Sequence, residues 1–230
     1  MLLLVGDIHG HFSVLRDLIK EKNPDLTICL GDFGYWPNFE GQTFKNSLSE
    51  SFVYSLDPLK EILNEIWWID GNHEDHLSLI DREKNTFLSP NIAYIPRGTI
   101  AIIPKRAKSP FSGKKALFIG GADSIDSKMR TPYVDWFPEE TLSHKDFEFM
   151  NDSDTKFDMV FSHSAPFEFG DWSPYNTEMK FTRNILSHIL KNYQPERWYF
   201  GHFHETLSGF TNGCNWKCIN TIENSGYLEC

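Results

Sequence analysis

The chain has 230 residues, 40% hydrophobic and 15% aromatic, with 22 Lys and Arg against 32 Asp and Glu, a formal net charge of −10. That length favours a single domain spanning 1–230 over two independent ones. The negative charge disfavours coating of extended duplex DNA or an anionic membrane, because both depend on basic residues displacing counterions.

The apolar start, Met1 to Val5, stops at Gly6-Asp7 without the charged flank and length of a secretory signal, so a cytoplasmic location is expected. No run reaches the roughly 18–20 apolar residues of a membrane span. LLLV reads as a buried strand feeding GDIHG, and 12–21 as a helix with Val14, Leu15, Leu18 and Ile19 on one face. LTICL then feeds GD, and 34–49 resists assignment. A second helix is expected over 56–66, with Leu59, Ile62, Leu63 and Ile66, before the strand EIWWI and its loop DGNHE. From 91 onward NIAYIPRG, TIAII and KKALFIGG read as consecutive strands, forming a second sheet or an extension of the first. After an unassigned 122–136 come the strand MVF before SHSAP and a helix over 177–193 carrying Met179, Phe181, Ile185, Leu186, Ile189 and Leu190. RWYF before GHFH, then TLSGFT, KCINTI and SGYLE, complete the chain. Cys29, Cys214, Cys218 and Cys230 include no CxxC pair, and reduced thiols are expected.

Five apolar runs thus stop at polar loops that supply Asp7 and His9, then Asp32, then Asn72 and His73, then His163, then His202 and His204. In open α/β sheets ligands gather at the C-terminal ends of strands. Each histidine alone reads as an ordinary turn residue. Together they form the mixed oxygen and imidazole set that two divalent ions sharing a carboxylate require. Such a set suits Mn²⁺ first, with Fe or Zn²⁺ as alternatives, better than Mg²⁺.

In that order GDIHG, GD, GNHE, SH and GHFH resemble the five blocks of the calcineurin-like metallophosphoesterase superfamily, and they cover 6–204. GGADSIDSKMR and WFPEE resemble a smaller bacterial and bacteriophage branch. The resemblance implies a four-layer α/β/β/α sandwich with mixed sheets. It also implies one ion on Asp7, His9, Asp32 and His204, and a second on Asp32, Asn72, His163 and His202. Asp32 would bridge them. Hydrolysis would proceed through a metal-bridging hydroxide, with His73 as the unligated acid that protonates the leaving oxygen or steadies the transition state.

The Ser/Thr phosphatase branch continues its second block as GDxxDRG, whereas this chain reads GDFGYWP and lacks that phosphate-holding Arg. Tyr35, Trp36 and Phe39 could instead stack a base. Arg130 and Arg97 are candidates for a phosphate oxygen, and His11 for the pocket mouth. Glu74 and Asp75 are expected to favour a helix N-terminus, and His76, His144 and His188 to lie at the surface. Three functions compete. The first is hydrolysis of a nucleotide or short nucleic-acid phosphodiester. The second is phosphomonoesterase or Ser/Thr protein phosphatase activity, and the third a metal-bound scaffold without catalysis.

Overall fold

Leu2, Leu3, Leu4 and Val5 are all fully buried, which a strand achieves only when both faces of its sheet are covered. In the computed structural model, which describes every residue except 46–50, 83–85, 153 and 171–179, this is the case. The elements are β1 Leu2–Val5, α1 Phe12–Lys22, β2 Leu26–Leu30, β3 Thr43–Lys45, β4 Ser51–Val53, α2 Asp57–Lys60, β5 Glu65–Ile69, α3 His76–Arg82, β6 Phe87–Ser89, β7 Ile92–Tyr94, β8 Thr99–Ile102, β9 Lys115–Ile119, β10 Met159–Ser162, α4 Lys180–Tyr193, β11 Arg197–Phe200, β12 Leu207–Thr211, β13 Cys214–Cys218 and β14 Tyr227–Glu229. Two six-stranded sheets result, in the orders β14-β1-β2-β5-β7-β6 and β12-β13-β11-β10-β9-β8. Each has four central parallel strands with an antiparallel strand at either edge.

Leu2, Leu4, Ile28, Leu30 and Ile69 face Ala116, Phe118, Met159 and Phe161 between the sheets. Leu3, Val5, Cys29 and Trp68 turn outward to Phe12, Leu15 and Ile19 of α1. Leu117, Ile119, Val160, Trp198 and Phe200 turn outward to Leu186, Ile189 and Leu190 of α4. These are the four expected layers, with mixed sheets. α1 ends at Asn23, whose left-handed conformation (φ 46°) directs its N–H to the carbonyl of Ile19.

The expected helix over 56–66 is corrected to one turn, α2. Parallel pairing with β2 claims Glu65 and Ile66 for β5, and Leu63 is 89% exposed rather than on a buried face. The strands expected from 91 onward divide between the sheets, with β7 in the first and the β8/β9 hairpin in the second. β13 ends at Cys218, and the chain then crosses back to pair β14 with β1. Met179 and the start of the expected helix at 177 lie outside the described residues, as do 46–49 of the first unassigned stretch. The rest of that stretch contains a short helical turn, Pro37–Phe39, and β3 of the β3/β4 hairpin.

Arg97 is not a phosphate ligand in waiting. Its guanidinium donates to Asp70 Oδ2 from Nε (2.9 Å) and Nη2 (2.6 Å), and to the carbonyls of Glu140 (3.0 Å) and Thr141 (3.1 Å). Burial penalises the Asp70 charge, but Arg97 outweighs it and holds the carboxyl below its ordinary range. Because Gly121 N–H also donates to the Asp70 carbonyl (3.0 Å), this pair ties the end of β5 to both ends of 122–140. Removing one partner leaves a buried charge alone. Arg97→Met is therefore expected to cost about 3–5 kcal/mol in a urea titration. A loss under about 1 kcal/mol, the worth of an exposed pair, would contradict the assignment.

Candidate metal centre

The loops after β1, β2, β5, β10 and β11 converge because parallel strands deliver their C-terminal ends to one side of the sandwich. One ligand atom each from Asp7, His9, Asp32 and His204 lies within 4.8 Å of the others, and the same holds for Asp32, His163 and His202. Asp32 belongs to both groups. Asn72 joins the second, its Oδ1 lying 3.2 Å from His163 Nε2. In the first group His9 Nε2 and His204 Nε2 are 3.2 Å apart, and His204 Nε2 is 3.0 Å from Asp7 Oδ2.

Backbone geometry explains how the side chains reach inward. His9, Asp32, His202 and His204 all have positive φ, between 41° and 70°, which costs non-glycine residues of order 1–3 kcal/mol each. The surroundings impose this: the His202 N–H donates to both oxygens of Asp7 (3.0 and 3.2 Å), and the His73 N–H to Asp32 Oδ1 (2.8 Å). Two glycines make room for ligands from neighbouring loops. A Cβ on Gly71 would strike the Asp32 carboxylate, and one on Gly31 the His163 ring.

His163 Nδ1–H donates to the Leu30 carbonyl (2.9 Å), which points Nε2 at Asp32 (3.4 Å) and Asn72. His202 Nε2 is buried with no hydrogen-bond partner among the described residues. A lone pair so placed, among imidazole, carboxylate and amide oxygens, fits a cation. The electrostatics agree. Burial lowers the His163 pKa, but the Asp32 and Asp7 charges outweigh it and lift it to about 9. Without an ion, a proton takes up part of the positive charge that these carboxylates demand.

His73 sits at the rim of the first group, 5.4 Å from His9 between ring centres. Burial, reinforced by Arg130 and only partly offset by Asp32, holds it well below the ordinary range, so the ring is neutral. Arg130 Nη1 lies 3.0 Å from its Nδ1 and Nη2 3.2 Å from its Nε2. Asp126 fixes Arg130 through Nε at 2.8 Å and Nη2 at 2.8 Å. A neutral imidazole accepts at one nitrogen only, so the other carries a proton to donate.

Other expectations are corrected. Tyr35 and Trp36 are 3% and 5% exposed, so neither presents a face for a base. Trp36 packs among Phe39, Phe44 and Phe137, and its indole N–H donates to the His73 carbonyl (2.9 Å), holding that loop instead. His11 is in neither ligand group, which its expected place at the pocket mouth does not require; its Nε2 lies 3.2 Å from Glu223 Oε1 and its ring packs on Phe52. His76 is buried, and burial pushes its pKa down to about 3. Glu74, assigned by sequence to a helix dipole, is fully buried and accepts the N–H groups of Phe33 (2.7 Å), Gly34 (2.9 Å) and Tyr35 (2.6 Å). It thereby locks the segment after Asp32 to the Asn72 loop. Its place in GNHE, two residues before α3 begins, was the available signal. Asp75 does cap α3, accepting from the N–H (3.2 Å) and hydroxyl (2.7 Å) of Ser78.

The family model described as calcineurin-like phosphoesterase matches residues 1–206. The chain belongs to that family. Solved structures that share its fold include the following three. One matches with a TM-score of 0.59 at 14% identity, over 98% of this chain and 92% of its own. TT1561 of Thermus thermophilus matches with a TM-score of 0.53 at 10% identity, over 96% and 89%. GAP50, described as the anchor in the inner membrane complex of Plasmodium, matches with a TM-score of 0.50 at 12% identity, over 99% and 76%. At these identities the likeness shows the fold alone. No curated protein matches the chain. Metal-dependent phosphoester hydrolysis at a dinuclear centre comes with membership of this phosphoesterase family. No helix among the described residues is long and apolar enough to cross a membrane.

A proton bound below about pH 9 at His163 competes with a cation, so affinity for Mn²⁺ is expected to rise with pH toward that value. Titration calorimetry near neutral pH, in buffers of differing ionisation enthalpy, should show net proton release on loading. Heats independent of the buffer would contradict the reading.

Proposed function

We propose that the chain hydrolyses a phosphodiester carried by a nucleotide or a short single strand. The observation that carries this reading is Arg130, brought to His73 by 122–136 and clamped there by Asp126. It supplies a guanidinium where GDFGYWP has none. Because Asp126 already shares its charge, the cationic surplus suits the single charge of a diester better than the two of a monoester. The same stretch exposes Met129 (85%), Tyr133 (56%) and Val134 (56%), apolar surface available to an organic group beyond the phosphate. Tyr133 thus takes over the stacking role that Trp36, being buried, cannot fill. The chain's charge of −10 favours a small substrate over duplex DNA.

In this reading Asp7, His9, Asp32 and His204 hold one divalent ion and Asp32, Asn72, His163 and His202 the other, with Mn²⁺ first and Fe or Zn²⁺ as alternatives. Bound there, divalent ions would supply Lewis acidity and lower the pKa of a bound water toward 7. Arg130 orients the phosphate. The neutral His73 donates a hydrogen bond toward an oxygen that gains charge, rather than serving as a charged acid. Asp32 and Asn72 are held for their ligand roles by the His73 N–H and by Ser124.

Two experiments test this. With Mn²⁺ supplied, kcat/KM for bis-p-nitrophenyl phosphate should exceed that for p-nitrophenyl phosphate, and Tyr133→Ala should raise KM for nucleotide diesters while sparing the phenyl diester. Preferred turnover of monoesters or phosphoproteins would instead support the second reading. His73→Asn is expected to keep its metal content but lose roughly 10²–10⁴ in kcat, less for good leaving groups. Depleted metal in that variant would make His73 a ligand. A metal-loaded protein inactive on every ester would favour the scaffold.

A further inference from the structure

GGADS and WFPEE each contribute one buried polar residue, Ser124 beside Asn72 and Glu140 behind Ser124. Asn72 Nδ2 donates to Ser124 Oγ (2.9 Å), the Ser124 hydroxyl donates to Glu140 Oε2 (2.7 Å), and the Ser124 N–H donates to Glu140 Oε1 (2.5 Å). Ser124 is 7% exposed and Glu140 1%. The chain of bonds has a direction. A carboxylate only accepts, so it draws the single hydroxyl proton of Ser124 and leaves Oγ to accept from Asn72. The two ends of the Asn72 amide are nearly the same size, and packing alone cannot tell them apart. Ser124 can.

We infer that Ser124 and Glu140 are positioning residues that fix the flip of the Asn72 amide, so that its oxygen and not its nitrogen faces the ion held with Asp32, His163 and His202. This rests on the reading of Asn72 as a ligand. An amide nitrogen has no lone pair to offer a cation, so the flip decides whether that site has its full ligand set. Loss of such a supporting partner typically weakens metal binding about 10–100-fold.

Glu140→Gln changes one atom and is the informative variant. Its amide oxygen still accepts the Ser124 N–H, but its nitrogen donates to Ser124 Oγ. Oγ could accept from both amides, but its buried proton would then be left without an acceptor. It keeps one by turning to Asn72, which accepts only through Oδ1, and Nδ2 swings toward the ion. Burial pushes the Glu140 pKa up to about 7, against the Ser124 bonds, so the comparison belongs at about pH 8.5, where the wild type carries the carboxylate.

The test measures Mn²⁺ binding isotherms and thermal midpoints of the full chain for wild type, Glu140→Gln, Ser124→Ala and Asn72→Ala. Glu140→Gln is expected to weaken one of the two ions about 10–100-fold with the other unchanged and the metal-free midpoint nearly so. Ser124→Ala, which removes the acceptor without imposing the wrong flip, should weaken the same ion less. Wild-type binding by Glu140→Gln, with Asn72→Ala impaired, would overturn the positioning role and leave Asn72 a ligand. Unimpaired binding by Asn72→Ala would overturn both. Equal weakening of the two ions in Glu140→Gln, alongside a lowered midpoint, would reduce Glu140 to a structural residue and also overturn the inference.

Discussion

One buried carboxylate sets the terms for this molecule. Asp32 lies 1% exposed between two groups of imidazoles; burial works against its charge, but His163, itself held protonated by the surrounding carboxylates, outweighs burial and holds the Asp32 pKa well below the ordinary range. Its backbone is forced to φ 41°, Gly71 must lack a Cβ to admit it, and the His73 N–H is spent on Oδ1. Glu74 fastens the chain immediately after it, through the N–H groups of Phe33, Gly34 and Tyr35. Two sheets packed face to face make this possible, since each brings parallel strand ends to the same rim.

Much of that frame was legible in the sequence. A strand buried on both faces is mostly apolar, and LLLV, LTICL and RWYF each break off at a glycine beside an acidic or imidazole residue. Such breaks mark both the strand end and the site. The change from helical turn to strand within 56–66 was not legible, because Ile66 continues a helical period in sequence while it pairs with β2 and β7.

Polarity was the other source of error. Arg97, Glu74 and His76 look like solvent-facing residues, yet Glu74 and His76 are buried and the Arg97 side chain is only 9% exposed, each held by a partner distant in sequence or by its own loop, and periodicity carries no information about either. Trp36 and Tyr133 are both aromatic residues in unassigned stretches, and only packing separates the buried ring from the exposed one. Arg130 was nameable as a candidate, but its approach to His73, 57 positions away, depends on how 122–136 folds back. Asp70 and Arg97, outside both ligand groups, anchor the two ends of the segment that carries Arg130, through the Gly121 N–H and the carbonyls of Glu140 and Thr141.

The central claim is that two ions flank Asp32. Anomalous diffraction from crystals grown with Mn²⁺ tests it most directly. The account predicts two peaks roughly 3.5–4 Å apart, with an Asp32 oxygen between them. A single peak, or two peaks of which only one contacts Asp32, would contradict it.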